Sequence, residues 1–185
     1  LIGGYMEVGS DFPIQPGASA KPGPVEARAE AFITIRGLKS VEKDGQPYSD
    51  KMDSIMYEKL LAKTHPRILY YLSELALEKS AQSESAPYVF KSKGNLVVAG
   101  VTNQIDMPVQ VLPLGEDKLK ITGAVAVKMT DFRIEPPAPK WLAGIIKTGD
   151  EVKLSFEWLV GRKSPAQTVT SAEASPKNAK AEVRN

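Results

Sequence analysis

Apolar and polar residues alternate along most of this chain, most clearly between residues 25 and 36. In the stretch VEARAEAFITIR, apolar residues occupy every second position, and charged residues or threonine fill most of the positions between them. A period of two places each set on its own face of an extended strand. One apolar face predicts a half-buried antiparallel strand. Further strands are predicted at 1–8, 67–80, 88–93, 95–101, 105–112, 118–132 and 151–160.

One stretch, residues 50–64, changes to a helical period. Its apolar residues recur at spacings of three and four and form a single stripe. That stripe consists of Met52, Ile55, Met56 and Leu60. Ser49 or Asp50 can cap the start of the helix, and Pro66 ends it because the residue before a proline avoids helical geometry. We interpret the helix as a lid that covers one end of a β structure.

The order of the elements predicts an all-β protein. One helix among about seven or eight alternating strands is typical of an antiparallel barrel, since parallel crossovers would need more helices. A barrel of about eight strands can hold one small ligand. We therefore expect a lipocalin-like barrel domain over residues 1–162. Residues 163–185 are rich in Ala, Ser, Pro and Lys without any period, and we expect them to be disordered.

Composition and charge exclude several classes of protein. The chain has 185 residues and a formal net charge of +2. Residues 163–185 contain four basic and two acidic side chains and so carry that whole excess, which leaves 1–162 neutral. A neutral body argues against nucleic acid as a partner. No apolar run approaches the ~18 residues of a membrane-spanning helix, so at most peripheral membrane contact is expected.

The sequence offers little that could support catalysis or metal binding. His65 is the single histidine and the chain has no cysteine, so a zinc site with several histidines or thiolates cannot form. Nucleophile elbows, P-loops and dinucleotide fingerprints are absent. The acidic pairs at 116–117 and 150–151 lack the ligand number of a calcium loop. We expect no enzyme activity, no metal and no cofactor, with His65 serving the C-terminal end of the helix.

The inward face of the predicted strand at 25–36 carries three alanines in succession. They can reflect simple size complementarity with larger opposing residues, or they can leave volume unfilled along a barrel lumen. Methionine and aromatic residues on the other inward faces would make such a lumen apolar and adaptable, which suits a long hydrocarbon. The candidate lumen residues are Ala27, Ala29, Ala31, Ile33, Met107, Val109, Ile121, Val125, Val127, Leu154, Phe156 and Trp158.

A second interpretation concerns the segment at 135–150. There Trp141, Ile145 and Ile146 form an apolar cluster flanked by prolines and lysines. Such a cluster either folds back over the barrel mouth or contacts a partner or a membrane surface. The second arrangement would make the chain a non-enzymatic interaction module with a solid core.

Four stretches together resemble the YceI family of lipocalin-like barrels associated with polyisoprenoid binding. They are DKMDSIMYEKLLAKTHPRILYYL, GNLVVAGVTNQIDMPV, TDFRIEPP and TGDEVKLSFE, and the resemblance covers roughly residues 50–160 in matching order. It implies a periplasmic or secreted barrel that binds an isoprenoid, such as a polyprenyl chain or a quinone tail, for carriage, storage or sequestration.

Two features depart from that family pattern. Arg133 stands where glycine is common, which predicts a different local backbone or pocket mouth there. The usual opening strand with its G-T-S-x-x-H-D-W-like motif is not found, and the chain begins at Leu1, so we expect a processed or truncated N-terminus. A barrel without that strand would expose an edge, and an exposed edge favours association into a homodimer.

Overall fold

A computed structural model describes residues 2–115, 117–136 and 149–163. These ranges contain β1 (Ile2–Val8), β2 (Gly23–Pro24), β3 (Ala27–Thr34), α1 (Asp50–Lys59), β4 (Arg67–Lys79), β5 (Tyr88–Val98), β6 (Val101–Gly115), β7 (Lys118–Lys128) and β8 (Glu151–Gly161). Two short 3-10 turns lie at Ile35–Gly37 and Thr130–Phe132. The helices in these ranges are too short or too polar to cross a bilayer. The cluster predicted around Trp141 and the segment 164–185 lie outside the described residues.

The strands form one antiparallel sheet in the order β1-β3-β4-β5-β6-β7-β8, and the two-residue β2 pairs with β4. The sheet curls into a half-barrel, which confirms the predicted all-β lipocalin-like fold of about seven or eight strands with one short helix. Two register shifts in β4 and one in β6 help it bend, because a bulge increases local twist. Within the described residues, β1 and β8 are the edges of the sheet and no backbone pairing joins them.

The concave face of the sheet carries the main apolar core. Alternate positions of β4 to β8 point to this face, as their apolar period predicts. The buried members of the cluster are Phe12, Leu75, Leu77, Tyr88, Phe90, Met107, Val109, Val111, Ile121 and Trp158. Most of them come from the strands, and Phe12 alone in this list comes from a loop. The other side of the sheet is largely polar and solvated.

The helix is anchored by polar contacts as well as by its apolar stripe. Its buried residue is Asp53, whose carboxylate accepts a hydrogen bond from the Ser40 backbone N–H at 2.6 Å and pairs with Lys39 Nζ at 3.0 Å. The Tyr57 hydroxyl donates to the Leu38 carbonyl at 2.7 Å. The helix is thereby tied to the segment that follows β3.

The predicted stripe is therefore only partly directed inward. Ile55, Met56 and Leu60 are half-buried, whereas the side chain of Met52 is exposed. The helix begins at Asp50, with the Ser49 hydroxyl accepting from the Met52 N–H, and it ends at Lys59, which is shorter than the predicted range of 50–64. The helical lid formed by these four residues stays a prediction.

Protonation of Asp53 should loosen this anchor. The Ser40 backbone hydrogen bond, followed by the Ser40 and Lys39 side chains, lowers the pKa of Asp53 to about 2. Because the folded pKa lies below the unfolded value of about 3.9, the stabilisation is complete above about pH 4 and is lost as the pH falls through about 2. We expect Asp53→Asn to lower the melting temperature near neutral pH, and the difference from wild type to shrink between about pH 4 and about pH 2.

Thermal unfolding followed by circular dichroism at several pH values measures this difference. Glu58→Gln, on the exposed side of the same helix, is the matched control and should show a small effect throughout. An Asp53→Asn deficit of the same size at both ends of the pH range would contradict the assignment.

Candidate functional site

One end of the concave face is covered by residues 9–20, which we call the first plug. Phe12 is 3% exposed, and its ring stacks on that of Phe90 with centroids 5.5 Å apart. The Tyr88 hydroxyl donates to the carbonyl oxygens of Gln15, at 3.0 Å, and Ala18. Burial raises the pKa of Tyr88, which keeps the hydroxyl a donor. An aromatic stack and two hydrogen bonds thus hold the loop against the strands.

The other end is covered by residues 129–134, which we call the second plug. Phe132 and Ile134 are buried in a second apolar cluster with Leu96 and Val98 of β5, and Leu60 packs against it from beyond the helix. The plug is fixed by Asp150, whose Oδ2 accepts from the Thr130 hydroxyl at 2.6 Å and whose Oδ1 accepts from the Thr130 N–H at 2.9 Å. These two hydrogen bonds lower the pKa of Asp150 and keep it ionised, and the bond from the Thr130 hydroxyl has the larger effect.

Between the plugs, large aromatic rings of the interior pack over glycines. A Cβ added at Gly94 would lie 2.5 Å from the Tyr70 ring, so that ring covers the glycine; the Phe156 ring covers Gly123 in the same way. The Tyr70 hydroxyl donates to Ser92 Oγ at 3.4 Å, and the Ser92 hydroxyl donates to the Met107 carbonyl at 2.8 Å. Every buried side-chain polar atom in the described ranges has a partner.

The structure places most of the candidate lumen residues in the two apolar clusters of the concave face, whereas Leu154 is 37% exposed. Strand register aligns Val125 with Leu154 and Ile121 with Trp158, so they share the concave face. Met107, Val109, Ile121 and Trp158 are buried, Ala27, Ala31, Val125 and Phe156 pack against them, and Val127 packs against the second plug. Their assignment to a ligand stays a prediction.

The alanines of β3 lie opposite larger residues. Ala31 is aligned with Tyr70 of β4, and Ala29 is aligned with Met6 of β1. Ile33 is aligned with Ile2 of β1 and Ile68 of β4. The alignment favours size complementarity at Ala29 and Ala31, and the larger cavities lie elsewhere in the wall.

The first cavity in the wall is a cleft of about 730 Å³ between the edge strands β1 and β8, which we call the seam. Its lining from β1, the first plug, β7 and β8 is mainly apolar. The apolar lining residues are Met6, Val8, Phe12, Ile14, Leu119, Trp158, Leu159 and Val160. The charged residues of its lining are Asp117, Arg162 and Lys163, and Arg162 Nη1 lies 3.2 Å from Asp117 Oδ1. Since Met6, Phe12 and Trp158 also belong to the core, the seam reaches the interior.

The second cavity, of about 910 Å³, lies where β3 separates from β4; we call it the window. Pairing of β3 with β4 stops at Glu30, and the chain rejoins β4 only where the Val25 N–H donates to the Leu75 carbonyl at 2.9 Å. The charged side chains of its lining are Glu7, Glu26, Arg28, Glu74, Lys91, Lys93 and Asp106. Lys93 is aligned with Glu74 on one side and Asp106 on the other, so opposite charges alternate there.

His65 occupies a position suited to packing. The side chain is exposed, and a Cβ on Gly100 would lie 2.7 Å from its imidazole, so the ring covers the β5–β6 turn. Its imidazole makes no hydrogen bond or ion pair with any described residue, while the His65 backbone N–H donates to the Leu61 carbonyl at 2.8 Å, beyond the end of the helix. In the part of the chain that the structure describes, no three His, Asp or Glu side chains converge as metal ligands.

Sequence reasoning missed the residues that close the two ends. Phe12 lies between the predicted strands at 1–8 and 25–36, in a segment that is rich in proline and glycine and shows no strand or helix period. A large aromatic residue among turn residues is a signal, although it names no partner. Asp150 belongs to an acidic pair that lacks the ligand number of a calcium loop, and its actual partner, Thr130, is 20 residues away in sequence.

Comparison with solved structures gives the same fold. BcnA of Burkholderia cenocepacia superposes with a TM-score of 0.60 at 17% identity, covering 86% of this chain and 84% of that one. The YceI protein of Campylobacter jejuni gives 0.58 at 14% identity, covering 88% and 82%. A polyisoprenoid-binding domain from Saccharophagus degradans gives 0.55 at 12% identity, covering 77% and 82%.

The model of the YceI-like domain matches residues 17–159. The chain belongs to the YceI family. The resemblance stated from the sequence is thereby confirmed, and the match extends further toward the N-terminus than the stretches that first indicated it. No curated protein matches the chain.

Arg133, which stands where glycine is common in the family, has an unusual backbone conformation. Arg133 has a φ of 58° and ends the Thr130–Phe132 turn in the left-handed region. Glycine adopts that region without steric cost, whereas other residues pay roughly 1–2 kcal/mol. The conformation lets the chain reverse, so that the Ile134 N–H donates to the Met129 carbonyl at 3.0 Å and Ile134 points into the core.

The two covered glycines give a direct test of interior packing. At Gly94 an added methyl group would lie 2.6 Å from the Tyr71 backbone carbonyl as well as against the Tyr70 ring, and the backbone cannot move aside. At Gly123 the close neighbour is the Phe156 ring, which can rotate. We expect Gly94→Ala to cost about 1–3 kcal/mol of unfolding free energy and Gly123→Ala to cost less.

Urea unfolding of both variants measures these free energies, and unchanged m-values would show that the folded state is retained. Equal costs at the two positions would contradict the difference between ring and backbone contacts.

Proposed function

We propose that this YceI-family protein binds one long-chain lipid, an isoprenoid by preference, in the apolar interior between the two plugs. Membership of the family and similarity to a polyisoprenoid-binding domain support a lipid-binding role. The observation that carries the proposal is the continuous apolar surface on the concave face, which the seam connects to the outside.

The chemistry of this surface suits a hydrocarbon. Leu, Val, Phe, Trp and Met side chains line it, and the Tyr70 and Ser92 hydroxyls are satisfied internally, so they demand no polar group from a ligand. Each methylene taken out of water contributes about 0.8 kcal/mol, so a polyprenyl or quinone tail can bind tightly without any charged contact. Binding, rather than catalysis, is what this interior supports.

The proposed role is carriage, storage or sequestration of the lipid in the periplasm or outside the cell. A protein that shields a prenyl tail from water is useful where such tails must cross an aqueous space. The ligand would be the cargo of the protein.

Bulk introduced on the concave face should reduce lipid binding. Ala27 packs against the apolar core of the concave face, so a phenylalanine ring at this position adds bulk to that face. We expect Ala27→Phe to weaken binding of geranylgeraniol by about tenfold, because the ring takes volume that the chain would occupy. Titration followed by tryptophan fluorescence, with Trp158 buried nearby, measures the affinity.

Ala126→Phe is the matched control, since Ala126 is exposed on β7 and lies on the opposite face. It should leave the affinity unchanged, and both variants should keep the melting temperature close to wild type. Lack of geranylgeraniol binding by the wild-type protein, together with lack of a co-purifying lipid in native mass spectrometry, would overturn the proposed function.

A further inference from the structure

We propose that the window holds the headgroup of the bound lipid, and that this headgroup is an uncharged hydrogen-bonding group such as an alcohol, not a phosphate. This inference rests on the proposed function and names the class of lipid that the protein selects. The tail of the same lipid would lie along the apolar core on the inner side of the window.

The window is an interruption within the sheet and not a gap at its edge. β3 pairs with β4 as far as Glu30 with Tyr71, and the contact resumes where the Val25 N–H donates to the Leu75 carbonyl. On its other side, this part of β3 stays paired with β1. Strands of the described chain therefore frame the cavity on both sides, and a further strand beside the outer edge of β1 would leave it as it is.

The interruption brings backbone polar groups to the cavity. The next pair in the register of β3 and β4 would be Ala29 with Leu72, and this pair is absent from the ladder. The pairing of β4 with β5 also shifts between Leu72 and Glu74. Because backbone N–H and C=O groups without a strand partner bind water or a ligand instead, this stretch can offer both donors and acceptors.

The inner side of the window is apolar. Leu75 is a buried member of the main cluster, and Val25, Ala27 and Leu72 pack against that cluster. All four residues line the cavity. The floor of the window is therefore part of the core to which the proposed function assigns the hydrocarbon tail.

Charged side chains lie on the outer side of the window. Lys91 and Lys93 alternate along β5 with the buried Phe90 and Ser92, so they point away from the core. Asp106 likewise lies on the outer face of β6. A lipid at the window would place its tail against apolar side chains and its headgroup among charged ones.

The rim carries more negative than positive charge. Its four acidic and three basic side chains give a formal charge of −1. The Lys93 Nζ lies 3.7 Å from the Glu74 Oε2, and Lys93 is also aligned with Asp106, so acids already surround this cation. A phosphate would be repelled by the excess carboxylate. An alcohol can donate to a carboxylate and accept from a lysine or an arginine, so it suits this rim.

Two prenyl lipids that differ only in their headgroup test this assignment. Geranylgeraniol and geranylgeranyl phosphate share one tail, and titrations followed by tryptophan fluorescence at low ionic strength compare their dissociation constants. The window variant carries Glu26→Gln and Glu74→Gln, at two exposed acids of the rim. The matched control carries Glu42→Gln and Glu58→Gln, at exposed acids that do not line the window, and it changes the net charge equally.

We expect the wild-type protein to bind the alcohol about tenfold more tightly than the phosphate, and added salt to reduce this ratio because salt screens the rim. The window variant should bind both lipids with similar affinity, through a gain for the phosphate and no change for the alcohol. Glu74→Gln alone should give part of that gain. The control variant should keep the wild-type ratio, and thermal unfolding shows whether each variant is folded.

Several results would overturn the headgroup site. They are equal wild-type affinities for the two lipids, a preference for the phosphate, a ratio that does not respond to salt, no gain in the window variant, and an equal gain in the control variant. In each of these outcomes the protein still binds a prenyl lipid, so the proposed function stands. Absence of binding of either lipid by the wild-type protein would overturn both.

Discussion

The structure depends on one constraint, which is that a single curled sheet has one apolar face and no second sheet to cover it. A sheet with an apolar face must bury that face against another layer. Here two short segments cover its ends: Phe12 inserts at one end, and Phe132 and Ile134 insert at the other. Both plugs are held by polar contacts, from Tyr88 and from Asp150, that only the folded chain provides. Between the plugs lies the buried apolar core to which the proposed function assigns a hydrocarbon ligand.

Between the plugs, large and small residues alternate so that the sheet can curl tightly. Tyr70 lies over Gly94 and opposite Ala31, which fills the space on the β3 and β4 side of the interior. Its hydroxyl would be costly to bury without a partner, and it donates to Ser92, whose own hydroxyl donates to the Met107 carbonyl. The interior is thus filled beside Ala31. The two cavities in the wall lie between β1 and β8 and where β3 separates from β4.

The fold could be predicted from the sequence because its main elements obey local patterns. The strand predicted at 25–36 is β3 at Ala27–Thr34, and the predicted segments on either side of Gly94 form the single strand β5. Tertiary contacts account for what was missed. The Tyr70 ring packs over Gly94 within β5. Phe12 stacks on Phe90, which is 78 residues away in sequence. Asp53 is buried where it pairs with Lys39 and accepts a hydrogen bond from Ser40. The sequence period of apolar residues predicts which residues share a face of a strand or helix, but it does not predict what that face packs against.

The helix shows how this distinction bears on function. Its apolar spacing indicated a lid, and a lid would place the route of the lipid at that end. In the structure a buried carboxylate and the Tyr57 hydroxyl tie the helix to the residues after β3, and Met52 faces solvent. Leu60, just beyond the last helical residue, is the part of this region that joins the second apolar cluster. Phe132 and Ile134 are buried at that end and Leu60 packs against their cluster, so this region contributes to the closure through the residue that follows the helix.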